Sequence, residues 1–187
     1  MERTFAQGGV TGQSLVAGNL LFSVARGEDD ADIRRLFREN ALGGWVRLSL
    51  EREPAAFDAD FGLSRSHAFI IARDRDTGEA IGICERSVRD AFVDGEIRPL
   101  PYLGSLRVAP ARRHRIRVVR GGFAAVRSLL GEPSDVPFAL TSITADNETA
   151  RRGLAGTAGL SPGWRAFDLR APHDGRTHAT RCRAGHA

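Results

Sequence analysis

The chain has 187 residues, with 27 Lys or Arg, 23 Asp or Glu and a formal net charge of +4. Every one of those cations is Arg, which excludes a Schiff-base lysine and a P-loop, whose chemistry needs a Lys on the phosphates. With 42 % hydrophobic residues, the length suits one domain with a core of ordinary size. No apolar run approaches the ~20 residues that span a bilayer, and the N-terminus lacks the basic start and apolar stretch of a signal peptide. The two cysteines, Cys84 and Cys182, make neither a disulfide framework nor a CxxC pair. A soluble, cytoplasmic, globular protein is expected.

Residues 1–19 are glycine-rich without a sustained period and read as a flexible N-terminal arm. Leu20–Arg26 is a short strand candidate. Glu28, Asp29 and Asp30 then suit a helix N-terminus, and Ile33, Leu36 and Phe37 carry that helix to about Asn40. Trp45, Leu48 and Leu50 suggest a second helical stretch before Pro54. His67–Arg73 and Ala80–Phe92 flank the turn signal Asp76-Thr77-Gly78 and predict a hairpin. Asp94-Gly95 leads into a strand from about Ile97 to Val108, with Pro99 and Pro101 making its first half irregular or an edge. Ile116, Val119, Phe123, Val126 and Leu130 recur at spacings of 3 or 4 and predict an amphipathic helix from Arg112 to Leu130. Phe138–Thr144 reads as a strand, Asn147–Ala155 as a helix, and Trp164–Leu169 with Thr177–Arg181 as a closing hairpin around His173-Asp174-Gly175. One domain is expected over 20–181, with a frayed tail over 182–187.

The chemically informative segment runs from Leu106 through Pro110 to Val118, a strand passing through a proline-marked turn into a helix with Arg in its first turn. Exposed N–H groups at a helix N-terminus with guanidinium groups nearby make an anion site. Arg113, Arg117 and Arg120 form one cationic stripe, which a plain solvated helix face explains equally well. Cys84 sits in an apolar strand without a nearby His and reads as an inert buried thiol. His173, His178, Cys182 and His186 match no common zinc spacing, so no metal site is expected.

Leu106-x-Val108-x-Pro110, with Arg113 three residues on, resembles the central motif L-x-V-x-P, R/Q-x-x-G-x-G/A of the GNAT acyltransferase superfamily. Thr141-Ser142-Ile143 followed by Asn147-Glu148-Thr149-Ala150-Arg151-Arg152 is similar to that family's next strand and N-x-x-A-x-x segment. The likeness covers most of residues 20–170. It implies an α/β (α+β) fold, with a mixed, mostly antiparallel central sheet, a splayed strand pair and helices on both faces. It also implies an acyl-CoA-dependent N-acetyltransferase that takes acetyl-CoA or another acyl-CoA as cosubstrate and a small-molecule or peptide amine as acceptor. The backbone of Leu106 and Val108 would face the pantetheine arm. The turn of Arg113, His114, Arg115, Ile116, Arg117 and Val118 would hold the pyrophosphate. Asn147 would contact the cofactor or cap its helix.

The family's two glycines fall here on Ile116 and Val118, whose β-branched side chains are expected to crowd the turn. The tyrosine that protonates the departing thiolate in many relatives corresponds to Leu154. Tyr102 starts the central strand, close to where many relatives place a catalytic carboxylate. Its phenol suits a general acid better than a base. Glu85 is the candidate base, with Glu96 behind it. A noncatalytic module of the same fold, binding CoA, an acyl carrier or nucleic acid, is the alternative. Nucleic acid is disfavoured because the Arg stripe has no interleaved aromatics. No membrane partner is expected, and a homodimer stays open.

Overall fold

The computed structural model describes residues 14–40, 50–58, 64–112, 116–131 and 136–143, together with Asn147, Glu148 and Ala150. Strands β1 (Ser14–Ala17), β2 (Leu20–Val24), β3 (Ser66–Asp74), β4 (Ala80–Val93) and β5 (Glu96–Val108) form one antiparallel sheet whose spatial order is the chain order. Two helices, α1 (Asp30–Glu39) and α2 (Ile116–Leu130), pack on it. Neither is long and apolar enough to cross a membrane.

The turns follow from local chemistry. Asp94 and Gly95 both have positive φ (53° and 88°), the two-residue geometry whose twist matches flanking antiparallel strands. β1 lies inside the stretch expected as an arm and pairs with β2 in the register Ala17↔Leu20 to Ser14↔Ser23. Four residues are too few to show an alternating pattern. Pro99 and Pro101 do not interrupt β5, which is the last of the five strands, a position that tolerates missing donors. The expected helix near 45–50 falls largely on residues 41–49, and the closing hairpin on 164–181; both lie outside the described residues. The expected strand Phe138–Thr144 is represented by a parallel bridge between Leu140 and Tyr102.

The helices cover opposite faces. Ile33, Leu36 and Phe37 of α1 are buried, and the Phe37 ring meets Phe69 of β3 edge-on at 6.2 Å. An acidic first turn (Asp30, Asp32) complements the positive end of the α1 dipole. α2 lies on the other face, over Phe22, Gly82 and Cys84. Its buried residues are Val118, Gly121, Gly122, Ala125, Val126 and Leu129, one position out of phase with the bulky stripe read from the sequence. The reason is steric. Small residues face the sheet so that the helix can descend onto the Phe22 ring, and Val119, Phe123 and Leu130 are left half-buried.

β4 and β5 outrun the rest of the sheet. Pairing with β3 ends at Ser66↔Val88, so residues 89–100 form a two-stranded ribbon. At its tip Phe92 and Ile97 are directly paired and both exposed.

Candidate active site

A bulge in β5 organises the site. The register passes from Glu85↔Gly104 to Ile83↔Arg107, so Ser105 and Leu106 together oppose Cys84. Ser105 takes φ +53°, a conformation rare outside glycine. Its hydroxyl thereby donates to Glu85 Oε2.

Glu85 is a half-buried carboxylate with three partners. His67 Nε2 lies 2.7 Å from Oε1, and Arg52 Nη2 donates to Oε2 at 2.9 Å, alongside Ser105. Burial would raise its pKa, but the hydrogen bonds from His67 and Ser105 and the charge of Arg52 outweigh it and hold the group at about 2. The candidate base is therefore a fixed anion with little proton affinity. Arg52 comes from residues 50–58, a segment tied to α1 by Glu53 with Arg34 (2.6 Å) and Arg38, and by Ala56 N–H donating to Asp30 Oδ1 (2.7 Å). Glu96, by contrast, sits beside the hairpin turn, exposed and paired with Arg98.

Tyr102 shares the α1 face, opposite Ser87. Its ring folds back along the strand over Gly104, and its hydroxyl meets Ser142 Oγ at 2.5 Å. Here β5 is joined by the segment that follows α2. Leu103 N–H donates to Leu140 O and Leu140 N–H to Pro101 O, so this segment runs parallel to β5 at Tyr102. The backbone of Leu106 and Val108 lies further along β5 from this junction, towards the turn into α2.

Beyond it, the 3₁₀ turn Pro110–Arg112 leads towards α2. Arg113, His114 and Arg115 lie outside the described residues, as does the Ile116 side chain. Arg117 is exposed in the first turn of α2, where there is no acidic side chain. Val118 corrects the sequence reading. It is 3 % exposed and packs against Gly82 of β4, so its side chain belongs to the core and cannot crowd the turn; only its backbone N–H could serve a phosphate. Asn147 Oδ1 accepts from Ala150 N–H (3.1 Å), which is the capping arrangement. Cys84 is buried, and burial with the Glu85 charge raises its pKa to about 12, so the thiol stays protonated.

Sequence reasoning missed four members of this site: Arg52, His67, Ser105 and Arg107. Gly104-Ser105 inside a strand was a bulge signal; nothing local marked the other three. Arg107 faces α1 with its guanidinium 5.6 Å from the Phe37 ring centre, and burial lowers its pKa against the opposing influence of Glu85. Among the described residues no group of His, Cys, Asp and Glu is arranged to hold a metal ion.

No protein-family model matches the sequence, and no curated protein matches it. Solved structures do. AAC(6')-Iy, in complex with the bisubstrate analog CoA-S-monomethyl-acetylneamine, superposes with a TM-score of 0.56 at 19 % identity, covering 87 % of this chain and 99 % of its own. The chain has the GNAT fold. A second GNAT neighbour, the aminoglycoside 6'-N-acetyltransferase AAC(6')-Ih from Acinetobacter baumannii, gives 0.55 at 16 % identity over 89 % of this chain and 99 % of its own.

Proposed function

We propose that the chain is an acyl-CoA-dependent N-acetyltransferase acting on a small-molecule amine. The observation that carries this reading is the parallel junction of the Leu140 segment with β5 at Tyr102, from which β5 runs through Leu106 and Val108 towards the start of α2. An acyl-CoA laid along β5 would run its pantetheine past the backbone of Leu106 and Val108. Its pyrophosphate would reach the turn 113–118, where unpaired helix N–H groups and Arg117 favour an anion. The structural neighbours support the class of reaction and, through their aminoglycosides, the class of acceptor.

In this reading the amine nitrogen attacks the thioester carbonyl carbon, and the C–S bond breaks as the tetrahedral intermediate collapses. Tyr102, its hydroxyl placed by Ser142, donates a proton to the departing thiolate. His67, held through Nε2 by the ionised Glu85, takes the amine proton. Glu85 itself positions His67 and Ser105.

The test is a melting curve with acetyl-CoA and with free CoA, followed by thiol release on adding a primary amine. A ligand at 100 times its dissociation constant stabilises by roughly 2.7 kcal/mol, which for this size is a shift of several degrees. Arg117→Ala is expected to reduce that shift and Arg127→Ala, exposed near the other end of α2, to leave it intact. No shift with either ligand would refute the proposal.

A further inference from the structure

Arg107 is a buried cation with no ion pair among the described residues. It is 7 % exposed, yet its Nε is enclosed without any hydrogen-bond partner, and Nη1 donates only to the neighbouring Leu106 carbonyl at 3.0 Å. Among the described residues no carboxylate stands within ion-pair distance of it. Arg52 packs on the same Phe37 ring from 5.5 Å and on Phe69 at 5.7 Å, so two guanidinium groups converge on one aromatic ring. Among the described residues the one carboxylate paired with either is Glu85, and it pairs with Arg52.

An unpaired charge in a protein interior is costly, and an apolar side chain of similar volume would be more stable. A guanidinium is also the side chain best shaped for a carboxylate, presenting planar paired donors. Its location selects between the two substrates. Arg107 lies directly across from Ile83 and on the same sheet face as Phe69 and Glu85, the α1 face. The start of α2, where the CoA phosphates would lie, belongs to the helix on the opposite face. Resting on the acetyltransferase reading above, we infer that the acceptor is an amine carrying a carboxylate, which Arg107 binds with Arg52 beside it. The ionised Glu85 favours the ammonium end of the same molecule. A polycation would meet two arginines and gain little.

The experiment uses 4-aminobutyrate, β-alanine and 6-aminohexanoate, each against its primary amide, and kanamycin as the polycation. Binding is read as the rise in melting temperature of the CoA-saturated protein at matched ionic strength, and turnover as thiol release from acetyl-CoA. At least one acid is expected to act at roughly tenfold lower concentration than its amide, the scale of one charge-assisted contact. Arg107→Met is expected to abolish that difference while the unliganded variant melts at or above the wild type, which a purely structural arginine would not do. Equal responses to acid and amide in the wild type, or a preference for kanamycin, would overturn the inference whether or not the variant folds. An acid preference that survives Arg107→Met would overturn the role of Arg107. The same melting curves without amine report acetyl-CoA binding separately. Acetyl-CoA binding without an acid preference removes only this inference, and no acetyl-CoA binding removes the reading beneath it as well.

Discussion

The ring of Tyr102 lies over Gly104 so closely that a Cβ there would stand 2.8 Å from its Cε1. Residues two apart in a strand share a face, and only a hydrogen at position 104 lets the phenol fold along it towards Ser142. Gly104→Ala is therefore expected to push the ring away and lower turnover. Acetyl-CoA affinity should hold, because the backbone of β5 remains. Unchanged turnover in this variant would show that the ring position is irrelevant to catalysis.

Tyr102→Phe separates the hydroxyl from the ring. Packing over Gly104 is kept and the bond to Ser142 is lost. Turnover is expected to fall by about 10²–10⁴-fold, the range of general acid contributions, with the thioester dissociation constant nearly constant. Thiol release at the wild-type rate would mark Tyr102 as structural.

Glu85 makes acid stability a direct readout of the polar cluster. Its pKa is depressed from 4.5 to about 2 by the folded environment, so its contribution is fully present above about 4.5 and disappears as pH falls through about 2. The difference corresponds to roughly 3 kcal/mol at neutral pH. Glu85→Gln should lower the melting temperature at pH 7 and flatten its dependence on pH between about 4.5 and 2. Parallel curves for mutant and wild type would mean that the three donors do not hold the carboxylate in solution.

Much of this was legible from the sequence, and the limits have physical causes. Asp76-Thr77-Gly78 and Asp94-Gly95 marked both hairpins because those turns need positive φ, which leaves a chemical trace. The boundaries of α1 followed from its acids and from Ile33, Leu36 and Phe37. The phase of α2 did not, because bulk misled. The residues that touch the sheet there include Gly121, Gly122 and Ala125, which carry almost no hydropathy signal. The cluster on Glu85 was invisible for another reason. Arg52, His67 and Ser105 come from three separate segments; the register of β3, β4 and β5 brings His67 and Ser105 to Glu85, and the anchoring of 50–58 on α1 brings Arg52.

Val118 turns that mistaken phase into a measurement. Since its side chain fills the space above Gly82, Val118→Gly should open a cavity and add a helix penalty, together roughly 2–4 kcal/mol. Restoring the family's glycine should therefore lower the melting temperature without tightening CoA. A gain in CoA affinity would show that the valine does restrict the phosphate turn.

Gly121→Ala probes the tight approach of α2 to Phe22. A Cβ at 121 would fall 2.2 Å from Cζ of the fully buried Phe22, so ring or helix must move. A loss of about 1–3 kcal/mol is expected from overpacking, or roughly 2–4 °C in melting temperature per kcal/mol. Gly122→Ala, whose Cβ would stand 3.7 Å from Cys84 Sγ, serves as the tolerated control.

The overhang of β4 and β5 beyond β3 divides one continuous strand into two regimes of opening. Ile81, Ile83 and Cys84 are buried with strands on both sides, so their amides exchange with solvent only when the sheet as a whole comes apart. Past Val88 the same strand pairs with β5 alone, and beyond the contacts of Arg89 with Ser64 and Asp90 with Arg65 its side chains are largely exposed, so the ribbon can unzip from the turn while the rest of the sheet stays folded. Deuterium uptake along β4 should therefore step from fast to slow within a few residues of Val88. The tip of the ribbon would move on a clock of its own, independent of the turn at the other end of β5.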